Sequence, residues 1–91
     1  ATSKGAIDTF TKGLAEEVGA EGIRVNAVRP GIIETDIHDD TGIPDRVKTL
    51  GPTVPMARSG SADEVGEAAL WLLSDAASYV TGTFVDVSGG R

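Results

Sequence analysis

Cysteine is absent from the 91 residues, which excludes a disulfide framework and any thiol nucleophile or thiolate metal site. Aromatic residues make up 4% of the chain, with one tryptophan, one tyrosine and two phenylalanines. Tyr79 is therefore the sole phenol available for proton transfer. Histidine occurs once, at His38. It stands near Asp36, Asp39 and Asp40, but no second histidine or cysteine completes a transition-metal set, and a mobile acidic lid is the reading preferred there to a metal site. No apolar run approaches the ~20 residues that span a bilayer, and no signal-peptide pattern is visible. Cationic charge is also scarce: 8 basic residues face 14 acidic ones, for a net charge of -6. The basic residues are scattered singly, and such a surface repels phosphate backbones, so neither nucleic acid nor an anionic membrane is an expected partner. With no targeting pattern, a reducing cytoplasm is the expected location.

What the chain does have is ordered into blocks. Hydrophobic residues amount to 40% and glycine to 12 residues, enough for one small domain or a piece of a larger one. A chain of this size buries only about 60–65% of its unfolded surface, so a core made by it alone is marginal. Thr2 to Val18 has the spacing of an amphipathic helix, with Ala6, Ile7, Phe10, Leu14 and Val18 on an apolar face and Lys4, Asp8, Thr11 and Ala15 along another. Gly19 and Gly22 supply its stop signal. Ile23 to Val28 alternates as a short strand, ended by Pro30-Gly31.

The stretch from Ile32 to Thr53 is loop-rich, with one or two helical turns expected over Asp45 to Leu50 after Pro44. Ser61-Ala62-Asp63-Glu64 has the capping-box pattern, which predicts a helix running to about Ser74. Its stripe of Val65, Ala68, Ala69 and Leu72 is apolar, and Leu70, Trp71 and Leu73 extend that character around the helix. Burial on several sides is expected, against a partner subunit or the rest of a larger domain. Thr83 to Val87 reads as the last strand, followed by Ser88-Gly89-Gly90-Arg91. Two strands joined by a helical crossover make a parallel βαβ unit. Parallel sheets are covered on both faces, so two strands cannot stand by themselves.

Two groups of residues are candidates for chemistry. Lys4, in Ala1-Thr2-Ser3-Lys4-Gly5, reads by itself as a solvated helix lysine. Pro30-Gly31, with Ile33 and Thr35 beyond it, stands just past the carboxyl end of a strand, where open parallel sheets bind ligands; alone it is also an ordinary turn leaving a strand. Glycine there lets a backbone approach a ligand closely. Tyr79 has Thr83 four residues on, not a lysine, and reads as a packing residue before the last strand.

Together, the Ser-Lys-Gly start, the strand Ile23-Arg24-Val25-Asn26, the stretch Val28-Arg29-Pro30-Gly31-Ile32-Ile33-Glu34-Thr35, and Thr81-Gly82 through Ser88-Gly89-Gly90 resemble the C-terminal end of the short-chain dehydrogenase/reductases. The resemblance covers essentially the whole chain. It implies an α/β fold: the C-terminal αβαβ portion of a doubly wound, Rossmann-like NAD(P)-binding domain whose N-terminal part is absent. It makes Lys4 the lysine of the family's Tyr-x-x-x-Lys motif, with the tyrosine immediately before Ala1. An ammonium one helical turn from a phenol favours the phenolate and brings a pKa of about 10 toward neutrality. The family's lysine also holds the nicotinamide ribose. Pro30, Gly31, Ile33 and Thr35 would lie along the nicotinamide, with backbone groups at Ile33 on the carboxamide and Thr35 on carboxamide or pyrophosphate.

The implied activity is NAD- or NADP-dependent interconversion of an alcohol and a carbonyl in a parent enzyme, a homotetramer or dimer acting on small molecules. The glycine-rich phosphate turn and the catalytic serine, asparagine and tyrosine are missing, so the chain alone is expected to be inactive. The alternative is a non-catalytic oligomerisation or interaction module, supported by the Trp71-bearing helix and the last strand.

Overall fold

The computed structural model describes residues 2–34 and 50–91, with side chains from residue 5 onward. Thr35, the acidic segment with His38, and the helical turns expected over Asp45 to Leu50, except for Leu50 itself, fall outside the described residues.

The chain starts in helix α1 (Thr2–Val18). A 3₁₀ turn at Gly19–Glu21 follows, and Gly22 at φ 78° ends the unit in the left-handed region that glycine enters without strain. Strand β1 (Ala27–Pro30) and a short strand β2 (Ile33–Glu34) come next. After a 3₁₀ turn at Gly51–Thr53, strand β3 (Gly60–Ser61) leads directly into helix α2 (Ala62–Leu73). A 3₁₀ turn at Asp75–Ala77 and strand β4 (Phe84–Val87) complete the order.

β1 and β4 are parallel, in the register Ala27 with Phe84 through Pro30 with Val87. α2 lies in the crossover between them, so the βαβ unit expected from the sequence is the centre of the fold. Side chains alternate along both strands. Arg29 and Asp86 turn to the face that carries α1, where Arg29 meets Asp8. Val28 turns to the opposite face, opposite Ala69 and Leu72 of α2. The result is three layers: helix, sheet, helix.

β1 is shorter and later than the expected Ile23–Val28. At Val25 and Asn26 one backbone bond, from Gly82 N–H to the Val25 carbonyl at 2.7 Å, is joined by side-chain bonds. Val25 N–H donates to Thr81 Oγ1 at 3.0 Å, Asn26 Nδ2 donates to the Val80 carbonyl at 3.0 Å, and Asn26 Oδ1 accepts from Thr83 N–H at 3.0 Å.

α2 matches its expected bounds. Ser61 accepts from the Glu64 N–H at 3.2 Å, and the Glu64 carboxylate accepts from the Ser61 N–H at 2.9 Å, completing the capping box. At the other end Arg24 Nη1 donates to the Leu72 carbonyl at 2.6 Å and to the Val80 carbonyl at 3.3 Å, while Nη2 reaches the Ser74 carbonyl at 3.4 Å. A cation there suits the negative end of the helix dipole.

The core of the described residues is small: Ala15, Val54, Leu72 and Ala77 are its buried apolar members, with Thr11 the buried polar one. Two sequence expectations are corrected here. α1 turns Asp8, Thr11 and Ala15 inward and leaves Ile7 and Phe10 exposed. Small residues on the inner face let the helix come close, with Ala15 packed against Gly82. Tyr79, expected to pack, is wholly exposed. Leu70, Trp71 and Leu73, whose burial is expected against a partner subunit or the rest of a larger domain, are also exposed in this chain.

Candidate functional site

The site is built where β1 and β4 end side by side. Ala27 N–H donates to the Thr83 carbonyl at 3.0 Å and Gly31 N–H to the Val87 carbonyl at 2.9 Å. In a parallel ladder alternate residues bond to one neighbour, so residues 27, 29 and 31 face β4. Pro30 faces the other way, and its missing N–H costs no bond to β4. The proline thus ends the strand at its outer edge while Gly31 keeps the last bond.

Gly31 is required by a backbone contact. A Cβ on it would stand 2.9 Å from both Cα and Cβ of Ser88, closer than real side chains come. Among the described residues, the close approach that this glycine permits is to the end of β4. That fixes the Pro30-Gly31 turn against Ser88-Gly89-Gly90. The same tail is held from the other side: Met56 N–H donates to the Gly89 carbonyl at 3.0 Å, with Val54 buried beneath. Gly89 and Gly90 have φ of 67° and 104°, so both glycines are needed for the chain to turn there.

Beyond the turn, β2 pairs with β3, and Gly60 N–H donates to the Ile32 carbonyl at 2.9 Å. This ladder uses the carbonyl of residue 32, so Ile33 turns its own N–H and C=O to the opposite edge. Those are the backbone groups that a nicotinamide carboxamide requires, one donor and one acceptor. The segment fits the cofactor expected from the sequence. An open groove of about 520 Å³ runs beside it, lined by Ile32, Met56, Gly60, Glu64, Ala68 and Gly89 among others.

Lys4 lies in the first turns of α1. Of the five residues predicted for the site, Pro30, Gly31 and Ile33 lie within four residues at the strand end and Lys4 belongs to α1. Thr35 lies outside the described residues.

Sequence reasoning missed the charged residues that fasten these parts. Arg29 Nη1 donates to Asp8 Oδ2 at 2.9 Å, and Nε and Nη2 donate to Asp86 at 2.7 and 3.3 Å. Its guanidinium carbon lies 4.9 Å from the centre of the Phe84 ring. The hydrogen bond to Asp86, then the nearby charge of both carboxylates, holds Arg29 protonated beyond its ordinary range. Arg58 forms a bidentate pair with Glu64, 3.0 Å at each oxygen. Arg58 first, then the Ser61 N–H, pull the Glu64 carboxyl down to about 2. The partners in the Arg29 network are far apart in sequence, and no spacing rule connects them. Among the described residues no cluster of three or more acidic or histidine side chains is placed to hold a metal.

Comparison with known proteins agrees with this geometry. The family model described as enoyl-(acyl carrier protein) reductase matches residues 1–91. The uncharacterized oxidoreductase YgfF of Escherichia coli is 58% identical over 91 residues, which are 100% of this chain and 37% of that protein. A 3-oxoacyl-(acyl-carrier protein) reductase from Brucella melitensis superposes with a TM-score of 0.87 at 47% identity, over 99% of this chain and 33% of its own. A short-chain type dehydrogenase/reductase from Mycobacterium ulcerans gives 0.85 at 38% identity, over 98% and 33%. Other solved neighbours include a B. melitensis reductase with bound NAD and a putative 2-deoxy-d-gluconate 3-dehydrogenase from Agrobacterium tumefaciens with bound NADP. The chain thus spans about a third of the length of the relatives it matches. By its fold, its strand-end turn and these relatives, the chain belongs to the short-chain dehydrogenase/reductase family.

Proposed function

We propose that the chain is the nicotinamide-facing, C-terminal part of an NAD- or NADP-dependent oxidoreductase that interconverts an alcohol and a carbonyl. The observation that carries this reading is the strand-end turn: Pro30-Gly31 locked against Ser88, with the free backbone groups of Ile33 directed away from the β2–β3 ladder. When bound, the nicotinamide ring supplies or takes the hydride. The backbone N–H and C=O of Ile33 orient its carboxamide, and Thr35 adds a hydroxyl contact to carboxamide or pyrophosphate. Lys4 holds the ribose and lowers the pKa of a tyrosine contributed by the N-terminal part of the parent enzyme, which makes that phenol an acid/base near neutral pH. The NAD and NADP seen in solved neighbours support both cofactors equally.

Partners follow from the surfaces. The remainder of the domain would pair with the outer edge of β1, toward which Pro30 turns. The exposed Ile7 and Phe10 of α1, with Leu70, Trp71 and Leu73 of α2, suit contacts between subunits in a homotetramer or dimer. The cytoplasm is the proposed location. The same apolar surfaces favour a second reading, an assembly module without catalysis.

Nucleotide titration separates the two. The 91 residues alone should show no saturable NAD(P)H binding, since their sequence has no Gly-x-x-x-Gly-x-Gly run to hold a pyrophosphate. Fused behind the N-terminal two-thirds of the B. melitensis reductase, in place of its matching C-terminal part, they should bind it with affinity on the order of micromolar to millimolar, the usual range of enzyme KM values. A folded fusion that binds no NAD(P)H would favour the assembly module.

A further inference from the structure

Arg29 is the residue directly before Pro30, yet its side chain leaves the sheet for α1. It is bound there to Asp8, one helical turn beyond Lys4. Its other nitrogens hold Asp86 across the β1–β4 register, and Phe84 lies against its guanidinium carbon. Arg29 and Asp8 are each about a third exposed, so this pair is not a wholly solvated one. Among the described residues, it is the one ion pair that joins α1 to the sheet. Elsewhere α1 rests on small contacts such as Ala15 against Gly82.

The two ends of this link belong to the two halves of the site. On one side is the helix that carries Lys4; on the other is the strand that delivers Pro30, Gly31 and Ile33. We infer that the Asp8–Arg29 pair is a positioning device that sets the distance between the lysine-bearing turn of α1 and the nicotinamide-facing turn after β1. The inference rests on the proposed oxidoreductase reading. Asp8 and Arg29 touch neither substrate nor cofactor in it; they act through Lys4 and through the Pro30–Ile33 backbone. A displacement of about 1 Å at a reacting group can cost 10²-fold in rate, so a link of this kind matters more to turnover than to stability.

The test uses the fusion with the B. melitensis reductase, assayed for carbonyl reduction of a 3-oxoacyl thioester by NAD(P)H. Asp8→Asn and Arg29→Gln should each lower kcat per folded molecule by on the order of ten-fold, with a smaller change in KM. The double variant should be no slower than the slower single one, because each substitution breaks the same link.

The pH profile gives the sharper readout. Direct field effects of the two substitutions on the tyrosine have opposite sign: removing a carboxylate lowers a phenol pKa and removing a guanidinium raises it. Misplacing Lys4 raises it in both. In the reductive direction the phenol must be protonated, so the loss of rate at high pH should move to higher pH in both variants. Shifts in opposite directions, or an unchanged kcat and profile in folded variants, would overturn the inference. Activity lost only in proportion to the unfolded fraction would overturn it as well. An unsubstituted fusion that folds but does not reduce the thioester would instead defeat the oxidoreductase reading. The link is then judged by amide hydrogen exchange, where Arg29→Gln should speed exchange in the first turns of α1 and unchanged protection would refute it.

Discussion

At the scale of single residues, the site depends on contacts that leave little room. Gly31 is the clearest case, because its missing Cβ is matched to the backbone of Ser88 at 2.9 Å. Gly31→Ala should force the strand-end turn and Ser88 apart, at a cost of about 1–3 kcal/mol in stability, the usual range for overpacking. The same change should weaken NAD(P)H binding in the fused protein. Urea unfolding and nucleotide titration read the two effects, and an alanine variant with wild-type midpoint and affinity would show that the close approach is dispensable.

Glu64 offers a pH test. Its carboxyl is held at about 2 in the folded chain by Arg58 and the Ser61 N–H, against an ordinary value of 4.5. A depressed carboxyl contributes stability that is present above the unfolded pKa and lost as pH falls through the folded one. The Arg58–Glu64 link should therefore act fully above pH 4.5 and fade between 4.5 and about 2. The unfolding midpoints of Arg58→Met and the unsubstituted protein should differ at pH 7 and converge toward pH 2. A difference that stays constant across that window would contradict the assignment.

At the scale of elements, both α-helices of the described residues and the parallel crossover are legible in the sequence, because each rests on local rules. Thr2–Val18 and Ala62–Leu73 follow from periodicity, glycine stops and a capping box. What is not legible depends on partners distant in the chain. β2 and β3 are two residues each, too short for an alternation to show, and they exist because Ile33 finds Gly60. The inward face of α1 could not be read either. An apolar stripe normally turns to the core, but here Thr11 and Ala15 allow the helix to approach Gly82, and Ile7 and Phe10 are left outside.

Of the candidate site, the place of Pro30, Gly31 and Ile33 at a strand end is legible in the sequence, and the turn's lock on Ser88 is not. The capping box itself is testable: Ser61→Ala removes the bond to Glu64 N–H and should cost about 1 kcal/mol of stability. A denaturation midpoint unchanged by that substitution would show that the helix start is held by Arg58 and β3 instead.

At the scale of the whole molecule, the described residues form a strand-end turn and a small core. Ala15, Val54, Leu72 and Ala77 are its buried apolar residues, while Phe10, Leu70, Leu73 and Tyr79 are more than half exposed. A chain of this size is at the margin of independent stability, and the three-layer arrangement leaves both outer edges of the β1–β4 pair without a neighbour among the described residues. These features suit the proposed reading, in which further polypeptide completes a cofactor site, and they connect that reading with the marginal core and the free strand edges. The most direct measurement is turnover by the fused protein, the 91 residues behind the N-terminal two-thirds of the B. melitensis reductase, with Lys4→Met beside it. The account predicts NAD(P)H-dependent reduction of a 3-oxoacyl thioester by the unsubstituted fusion, lost by about 10²-fold or more when Lys4 is replaced, the lower end of what a positioned acid/base contributes. A folded fusion without turnover, or one indifferent to the loss of Lys4, would contradict it.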